Sequence, residues 1–232
     1  FPYTTLFRSN PDFGAPIEIP RKRLSAPTAI LKALAEKGFI RIADTEIPAS
    51  DAPAAPDKLP ELSAAQTAAY ERIKTCFSEK EVVLLHGVTG SGKTIVFLRL
   101  IQRTLELGRR ALVLVPEISL TPQMIRRLKS TFGSRLAVQH SALNNTERLL
   151  QWRMIQQGNA DIVVGTRSAV FAPLQNLGLI IMDEEQEGSY QSENSPCYHA
   201  RDIAKYLCAR ENAALVLGSA TPTVETAFAA ER

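Results

Sequence analysis

From residue 61 onwards, short runs of apolar residues alternate with longer segments in which apolar residues recur at helical spacing. The apolar runs predict strands at 82–86, 111–115, 136–139, 161–164, 179–182 and 214–217. The segments between them predict helices at 63–77, 93–108, 121–133, 145–157 and 200–209. The strand patterns are continuously apolar and not alternating, which is typical of strands buried on both faces. The sequence therefore predicts an α/β domain with a mostly parallel sheet and helices on both sides.

The N-terminal part of the chain predicts a smaller unit. A helix pattern begins with Ser25 as N-cap, has Pro27 in its first turn and ends at Gly38. Residues 39–42 then alternate like a short strand. A helix, a glycine and a short strand resemble the last helix and wing of a winged-helix domain, so we interpret residues 11–43 as a partial winged-helix remnant. The alternative is an isolated helix and strand.

Two segments fit neither unit. Residues 1–10 match no element that follows, and their run PYTTLFRS resembles translated sequencing adapter or another cloning scar. We expect this segment to be an artefact or disordered, and the alternative is a genuine terminal strand. Residues 44–60 are rich in proline, which disfavours helix interiors and central strands and predicts a linker. Residues 61–232 then form the main domain.

Composition narrows the class of protein. The chain of 232 residues has 45% hydrophobic and 22% charged residues, a globular balance that excludes a disordered chain. Its net charge is only +3, so any nucleic-acid surface must be local. No apolar run approaches the roughly 20 residues of a membrane span. The three cysteines are too few and too scattered for a disulfide framework or a metal knuckle. We therefore expect a cytoplasmic protein with no membrane partner.

A glycine-rich loop follows the first strand of the main domain. Residues 87–94 read GVTGSGKT, the G-x-x-x-x-G-K-[ST] pattern between a strand and a helix. The glycines let successive backbone N–H groups point at phosphates, and the helix adds its positive N-terminal end. Lys93 would reach the β- and γ-phosphates, and the Thr94 hydroxyl would ligate Mg²⁺. The predicted nucleotide-binding residues of this loop are Gly87, Val88, Thr89, Gly90, Ser91, Gly92, Lys93 and Thr94.

An acidic segment follows a later strand. The apolar run at 179–182 leads directly into Asp183, Glu184 and Glu185. A carboxylate at the C-terminal edge of a parallel strand points into the crevice where ligands bind. Asp183 would hold Mg²⁺ and Glu184 would orient or deprotonate the attacking water. Together with the glycine-rich loop, this segment predicts ATP hydrolysis, with Lys93, Asp183 and Glu184 as the catalytic residues.

Further motifs stand in a fixed order along the chain: Gln66, VPEISLTPQ at 115–123, GTRSAVFAPL at 165–174, IIMDEEQ at 180–186 and GSATPT at 218–223. With GVTGSGKT, this set resembles the first motor lobe of superfamily 2 helicases, and within them the bacterial primosomal replication-restart helicases. The most specific parts are VPEISLTPQ, GTRSAVFAPL and YHARD at 198–202. The resemblance covers the chain from about residue 59 and implies a RecA-like P-loop NTPase lobe.

The resemblance also implies roles for single residues. Gln66 would pair with adenine, and a solvated helix glutamine is the alternative. The residues that would contact DNA phosphates follow two strands and are Pro116, Thr121, Gln123, Thr166, Arg167 and Ser168. Ordinary helix capping is the alternative for both segments. The residues that would couple nucleotide state to DNA grip are Gln186, Ser219 and Thr221.

Three residues need separate interpretation. Gln186 stands where the family usually has histidine; glutamine still forms hydrogen bonds but carries no proton. His140 follows a strand and suits a DNA-backbone contact, although a lone histidine is more often structural. Trp152 shares helical spacing with Leu149 and Ile155, which favours core packing over base stacking.

The function that the resemblance implies is the ATP-binding lobe of a 3′→5′ DNA helicase acting at stalled replication forks, with ATP and Mg²⁺. The implied partners are branched or single-stranded DNA, primosomal proteins and single-strand-binding proteins. The second motor lobe, its arginine finger and a zinc-binding cysteine cluster would lie beyond Arg232, so we expect slow hydrolysis by this chain alone. The alternatives are another superfamily 2 translocase and a DNA-binding module with a vestigial ATPase.

Overall fold

A small antiparallel sheet forms the N-terminal unit of the chain. The computed structural model describes residues 3–6, 17–20, 28–37, 41–43, 59–79 and 82–231. The chain divides into two units between Ala52 and Pro53. The elements of the first unit are β1 (Tyr3–Leu6), β2 (Ile17–Pro20), α1 (Thr28–Glu36) and β3 (Arg41–Ala43). Its strands lie in the order β2-β1-β3, so β1 is central.

The N-terminal strand differs from what the sequence suggested. The sequence predicts an artefact or a disordered segment at residues 1–10, whereas Tyr3–Leu6 form the alternative, a strand that pairs with both other strands of the small sheet. The alternation needed to recognise a strand is weak in a run of only four residues, and the pairing is with partners distant in sequence. The origin of this segment and the winged-helix assignment stay predictions. Most of the predicted linker, residues 44–58, lies outside the described residues.

The second unit holds the predicted alternation of strands and helices. Its strands are β4 (Val82–His86), β5 (Arg110–Leu114), β6 (Leu136–Gln139), β7 (Ile162–Gly165), β8 (Leu177–Met182), β9 (Gln191–Ser192), β10 (Tyr198–His199) and β11 (Ala214–Ser219). Its helices are α2 (Ala64–Glu79), α3 (Lys93–Glu106), α4 (Pro122–Phe132), α5 (Asn145–Gln156), α6 (Ala200–Glu211) and α7 (Val224–Ala230). The main elements begin and end within two residues of the predicted bounds.

A parallel sheet organises this unit. Six strands lie in the order β4-β11-β8-β5-β7-β6, and every neighbouring pair is parallel. The α/β class with a mostly parallel sheet and flanking helices is therefore confirmed. Because all six strands run the same way, all of their carboxyl ends lie at one edge. β9 and β10 form a separate antiparallel pair that local sequence patterns did not predict.

Hydrophobic layers cover both faces of the sheet. On one face, Phe97 and Ile101 of α3 pack in a cluster with Val113 of β5. On the other face, Leu112 of β5 packs in a cluster with Cys208 of α6. Neighbouring residues of β5 thus enter opposite layers, as the pleat of a strand requires. Burial raises the pKa of the Cys208 thiol to about 12, so this cysteine behaves as an apolar core residue.

The helices of the described part of the chain do not form a membrane span. None of them combines the length and the apolar character that crossing a bilayer requires.

Gly165 provides a test of the close approach between β7 and its neighbours. A Cβ atom added there would overlap the Gln139 carbonyl oxygen and lie 2.5 Å from Ala169 Cβ. We expect Gly165→Ala to lower the free energy of unfolding by about 1–3 kcal/mol, because overpacking at a rigid backbone forces strand displacement. Urea unfolding followed by circular dichroism measures the change.

Gly188→Ala is the matched control for this substitution. A Cβ atom at Gly188 would meet no atom within 4 Å. Equal stability losses for the two variants would contradict the proposed packing at Gly165.

Candidate functional site

The glycine-rich loop connects β4 to α3 at the carboxyl edge of the sheet. Gly90 and Gly92 have φ angles of 82° and 83°, which side chains other than glycine rarely adopt. Gly92 is also the N-cap of α3 and provides no side-chain cap hydrogen bond. The first backbone N–H groups of a helix have no partner within the helix. These groups, together with the positive end of the helix, can bind an anion such as a phosphate.

Gln66 supports this loop from α2. Its Nε2 atom donates a hydrogen bond to the Ser91 carbonyl over 3.1 Å, and its Oε1 atom accepts one from the Ser63 backbone over 2.9 Å. A Cβ atom on Gly92 would overlap the Gln66 amide. Both ends of the amide are thus engaged in capping α2 and in bracing the loop. The predicted contact of Gln66 with adenine stays a prediction.

Lys93 and Asp183 lie in the same crevice. The Lys93 ammonium donates a hydrogen bond to the Gly87 carbonyl over 2.6 Å, so it lies across its own loop. Burial and the charge of Glu184 raise the pKa of Asp183, whereas the Glu184 backbone N–H and the charge of Lys93 lower it. Lys93 follows β4 and Asp183 follows β8, and only β11 separates these parallel strands, so the two predicted catalytic groups lie at the same part of the sheet edge.

The residues of this crevice fit a magnesium nucleotide. Asp183 provides a carboxylate and Thr94 an exposed hydroxyl, and such hard oxygen ligands are those that Mg²⁺ uses in proteins. The net upward shift in the Asp183 pKa shows that the ionised carboxylate is destabilised by its surroundings. A cation bound beside Asp183 would offset this cost.

The backbone turns sharply directly after Asp183. Glu184 has a φ angle of 48°, in the left-handed region that residues other than glycine seldom occupy. Backbone outliers of this kind concentrate at functional sites. The Glu184 N–H donates to Asp183 Oδ1 over 3.0 Å, and the Glu184 carboxylate accepts a hydrogen bond from Gln186 over 2.8 Å. Glu184 is therefore held in place from both sides.

Ser219 joins the acidic segment to the glycine-rich loop. Its hydroxyl donates to the Gln186 Oε1 atom over 2.5 Å, and its carbonyl accepts a hydrogen bond from the Gly87 N–H over 3.1 Å. The Thr221 N–H donates to the same hydroxyl over 3.0 Å. The structure thus brings together the three residues predicted to couple nucleotide state to DNA grip. In Thr221 it is the backbone, and not the predicted hydroxyl, that makes this contact.

Glu185 is a site residue that the sequence analysis missed. Its side chain is fully buried and forms an ion pair of 3.0 Å with Arg201. It also accepts hydrogen bonds from the Thr223 N–H over 2.8 Å and from the Thr226 hydroxyl over 3.1 Å. Glu185 therefore fixes the start of α7 against the acidic segment. The signal in the sequence was a third consecutive carboxylate without a role, together with Arg201 in the YHARD motif.

Tyr190 is a second residue that sequence patterns did not reveal. Its ring is fully buried, and its hydroxyl lies 2.6 Å from the Asp183 carbonyl and 3.0 Å from the Leu114 carbonyl. Burial and the nearby carboxylates of Asp183, Glu184 and Glu187 raise its pKa, so the hydroxyl stays a neutral donor. This donor anchors the backbone at Asp183, the predicted catalytic aspartate.

A cavity of about 400 Å³ lies at the other half of the same edge, where β5, β6 and β7 end. We call it the β5–β7 cavity. Six of the residues that line it matter here. They include Thr166 and Ser168, two of the predicted DNA contacts with hydroxyl side chains, together with Gln139, His140, Arg148 and Trp152.

The predicted DNA contacts between residues 116 and 123 have other surroundings. Thr121, which also has a hydroxyl, caps α4 by accepting a hydrogen bond from the Met124 N–H over 3.2 Å. Helix capping, the alternative for this segment, is therefore present. Pro116 is buried and Gln123 is exposed.

Arg167 lines the same cavity but is largely engaged elsewhere. Its guanidinium donates hydrogen bonds to the carbonyls of Ser189, over 3.2 Å, and Gln191. It also lies over the Tyr198 ring, 6.0 Å from the ring centroid. Its contact with DNA stays a prediction.

The prediction that Trp152 packs in the core is wrong. Its side chain is 37% exposed and lines the β5–β7 cavity, whereas Ile155 is fully buried. Gln151 faces the sheet instead, because its Oε1 atom accepts a hydrogen bond from the Val138 N–H over 2.9 Å. The sheet-facing side of α5 therefore runs through Gln151 and Ile155, and Trp152 lies beside it.

The buried network of Glu185 predicts a large stability effect. We expect Glu185→Ala to lower the free energy of unfolding by about 3–5 kcal/mol, because Arg201 would be left without its charge partner. Glu185→Gln retains one acceptor oxygen, which can serve the Thr223 N–H, and should lose less. Chemical unfolding in urea measures both variants.

Glu193→Ala is the control, since Glu193 is an exposed carboxylate of the same region. A loss for Glu185→Ala no larger than the loss for this control would show that the network adds little to stability.

Comparisons with known proteins place the chain in a family. Residues 63–229 match the family described as DEAD/DEAH box helicase. The chain is 44% identical to the replication restart protein PriA of Bacillus subtilis (strain 168) over 216 residues, covering 91% of this chain and 27% of that protein. It is 53% identical to PriA of Treponema pallidum (strain Nichols) over 145 residues, covering 62% of this chain and 22% of that protein.

A solved structure agrees with these sequence relatives. RecG bound to a three-way DNA junction matches with a TM-score of 0.54 and 25% identity, covering 74% of this chain and 22% of that chain. The chain thus spans about a quarter of the length of its relatives, and the resemblance to the primosomal replication-restart helicases is confirmed. The chain belongs to the DEAD/DEAH box helicase family.

Proposed function

We propose that this chain is the ATP-binding lobe of an ATP-dependent DNA helicase that acts in replication restart and moves 3′→5′ along DNA. The observation behind the proposal is that Lys93, Asp183 and Ser219 meet at one edge of the sheet, with Ser219 bonded to both the phosphate loop and the acidic segment. The similarity to PriA proteins over 91% of the chain supports the role in replication restart. The polarity rests on the family resemblance alone.

The chemistry of the proposed ATP site follows from its side chains. Lys93 and the first N–H groups of α3 would bind the β- and γ-phosphates. Thr94 and Asp183 would hold Mg²⁺, which would neutralise charge that develops on the phosphate oxygens. Glu184 would orient the attacking water, and its fixed backbone geometry favours that positioning task.

The proposed coupling runs through hydrogen bonds already present in the structure. Glu184 is bonded to Gln186, and Gln186 to Ser219. A shift of Glu184 between nucleotide states would therefore move the segment that leads into α7. Glu185 binds the other end of that segment through Thr223 and Thr226. We therefore expect the end near Ser219 to move while the end at α7 stays in place.

DNA is the proposed macromolecular partner. Thr166 and Ser168 would contact phosphates, which bind without sequence information. The RecG structure, determined on a three-way DNA junction, supports DNA over other polyanions. Primosomal and single-strand-binding proteins are proposed as partners from the family resemblance. We also propose that this chain alone hydrolyses ATP slowly, because a second lobe would supply the arginine finger, which is worth about 10³–10⁵ in rate.

Lys93→Ala tests the nucleotide site. We expect a loss of about 1.5–3 kcal/mol in Mg-ATP binding, or roughly 10- to 150-fold in affinity, because a charged hydrogen bond to phosphate disappears. Isothermal titration calorimetry with a non-hydrolysable ATP analogue measures it. Lys129→Ala, which removes an exposed lysine of α4, is the control. Unchanged affinity in Lys93→Ala would favour a DNA-binding module with a vestigial ATPase.

Ser219→Ala tests the proposed coupling. We expect the variant to bind the ATP analogue like the parent but to lose the difference in DNA affinity between the free and nucleotide-bound states, because its bond to Gln186 is removed. Fluorescence anisotropy of labelled single-stranded DNA, with and without the analogue, measures this difference. Ser134→Ala, at an exposed loop serine, is the control. A retained difference in Ser219→Ala would show that coupling takes another route.

A further inference from the structure

The β5–β7 cavity contains an aromatic ring that is only partly buried. Trp152 is 37% exposed and lines this cavity, although large aromatic rings usually contribute to stability through burial. The volume of about 400 Å³ lies within the range of small-ligand sites, which is about 300–1,000 Å³. The cavity is therefore large enough for a flat ring to stack on the indole.

Cationic and hydroxyl groups surround the indole. Arg148 precedes Trp152 by one helical turn and lies on the same side of α5, where residues four apart are neighbours. Ser168, an exposed residue after β7, also lines the cavity. A guanidinium and a hydroxyl bind phosphate, whereas the indole face binds an apolar ring. A nucleotide unit has both chemical parts.

The cavity also contains a buried donor. Gln139 is only 7% exposed and lines the cavity. In the part of the chain that the structure describes, its Nε2 atom has no hydrogen-bond partner. Buried polar groups are rarely left in that state, and a bound ligand is one way in which they are satisfied. A carbonyl oxygen on a base edge is an acceptor of the kind that this amide lacks.

The site lies apart from the proposed ATP site. Both are at the carboxyl edge of the sheet, but β7 is four strands away from β4, or roughly 19 Å at about 4.8 Å per strand. A ligand in the β5–β7 cavity would therefore be distinct from the ATP bound at Lys93.

We propose that the β5–β7 cavity binds one unstacked base of single-stranded DNA on the indole of Trp152, with the adjoining phosphate beside Arg148 and Ser168. This inference rests on the proposed DNA-binding function and adds base stacking to it. In a duplex the bases are stacked and paired, so the indole face can be reached only by an unpaired base. The cavity thereby favours single strands over duplex at this point of the lobe.

Intrinsic fluorescence provides a direct test, because Trp152 is the only tryptophan among the 232 residues. Short oligo(dT) should quench the emission of the parent chain as it binds. An oligonucleotide of equal length and charge, in which every base is replaced by an abasic site, should bind with little quenching. Equal quenching by both ligands would overturn the proposal, since the indole would then respond to the backbone alone.

Variants provide a second measurement that does not depend on the fluorescence of Trp152. Trp152→Ala should weaken oligo(dT) binding by about 5- to 150-fold in anisotropy assays, the range expected for one stacked base, and leave affinity for the abasic ligand nearly unchanged. Trp152→Phe should retain part of the affinity. Leu150→Ala, which removes an exposed apolar residue of the same helix, is the matched control. An equal loss for both ligands in Trp152→Ala would contradict stacking.

The two proposals fail in different ways. If the parent chain binds neither ligand in the anisotropy assay, the proposed DNA function is wrong, and base stacking falls with it. If it binds both ligands equally and Trp152→Ala changes neither affinity, DNA binding stands and the stacking site is wrong. Quenching by oligo(dT) with a selective loss in Trp152→Ala supports both proposals.

Discussion

The site depends on one hydrogen-bonded residue, Ser219, and on the strand order that places it. β11 lies between β4 and β8, and all three strands are parallel. The last residue of β11 therefore lies between the loop that follows β4 and the acidic segment that follows β8. Its carbonyl accepts from the Gly87 N–H and its hydroxyl donates to Gln186. With any other strand between β4 and β8, the two halves of the proposed ATP site would lack this bridge.

Local sequence patterns predicted the helices and strands of the main domain but not the contacts between residues that are distant in sequence. Continuous apolar runs and the glycine-rich loop depend only on residues close in sequence, so their bounds could be predicted. Tyr190 and Glu185 act through partners such as Leu114 and Thr226, which are distant in sequence. The misplacement of Trp152 has the same cause, because the hydrogen bond from the Val138 N–H to Gln151 selects which side of α5 faces the sheet.

The three consecutive carboxylates show how the backbone assigns different chemistry to like residues. The turn at Glu184, with its φ angle of 48°, separates the directions of the side chains on either side of it. Asp183 remains in the crevice beside Lys93, whereas Glu185 enters the interior and pairs with Arg201. A partly buried carboxylate at the crevice and one in a fully buried ion pair differ in environment, so one suits a metal and the other a structural role. The amino-acid composition of this acidic segment does not reveal that its carboxylates have different roles.

Gln186 connects Glu184 to Ser219 through one donor and one acceptor on the same amide. Its amide donates to the Glu184 carboxylate and accepts from the Ser219 hydroxyl, so one donor and one acceptor serve two different neighbours. A neutral histidine could do the same, but an imidazolium has only donors and could not accept from Ser219. Because an amide does not titrate, Gln186 offers the same donor and the same acceptor to these two neighbours at every pH. The glutamine therefore joins Glu184 to Ser219 through hydrogen bonds that do not depend on a proton.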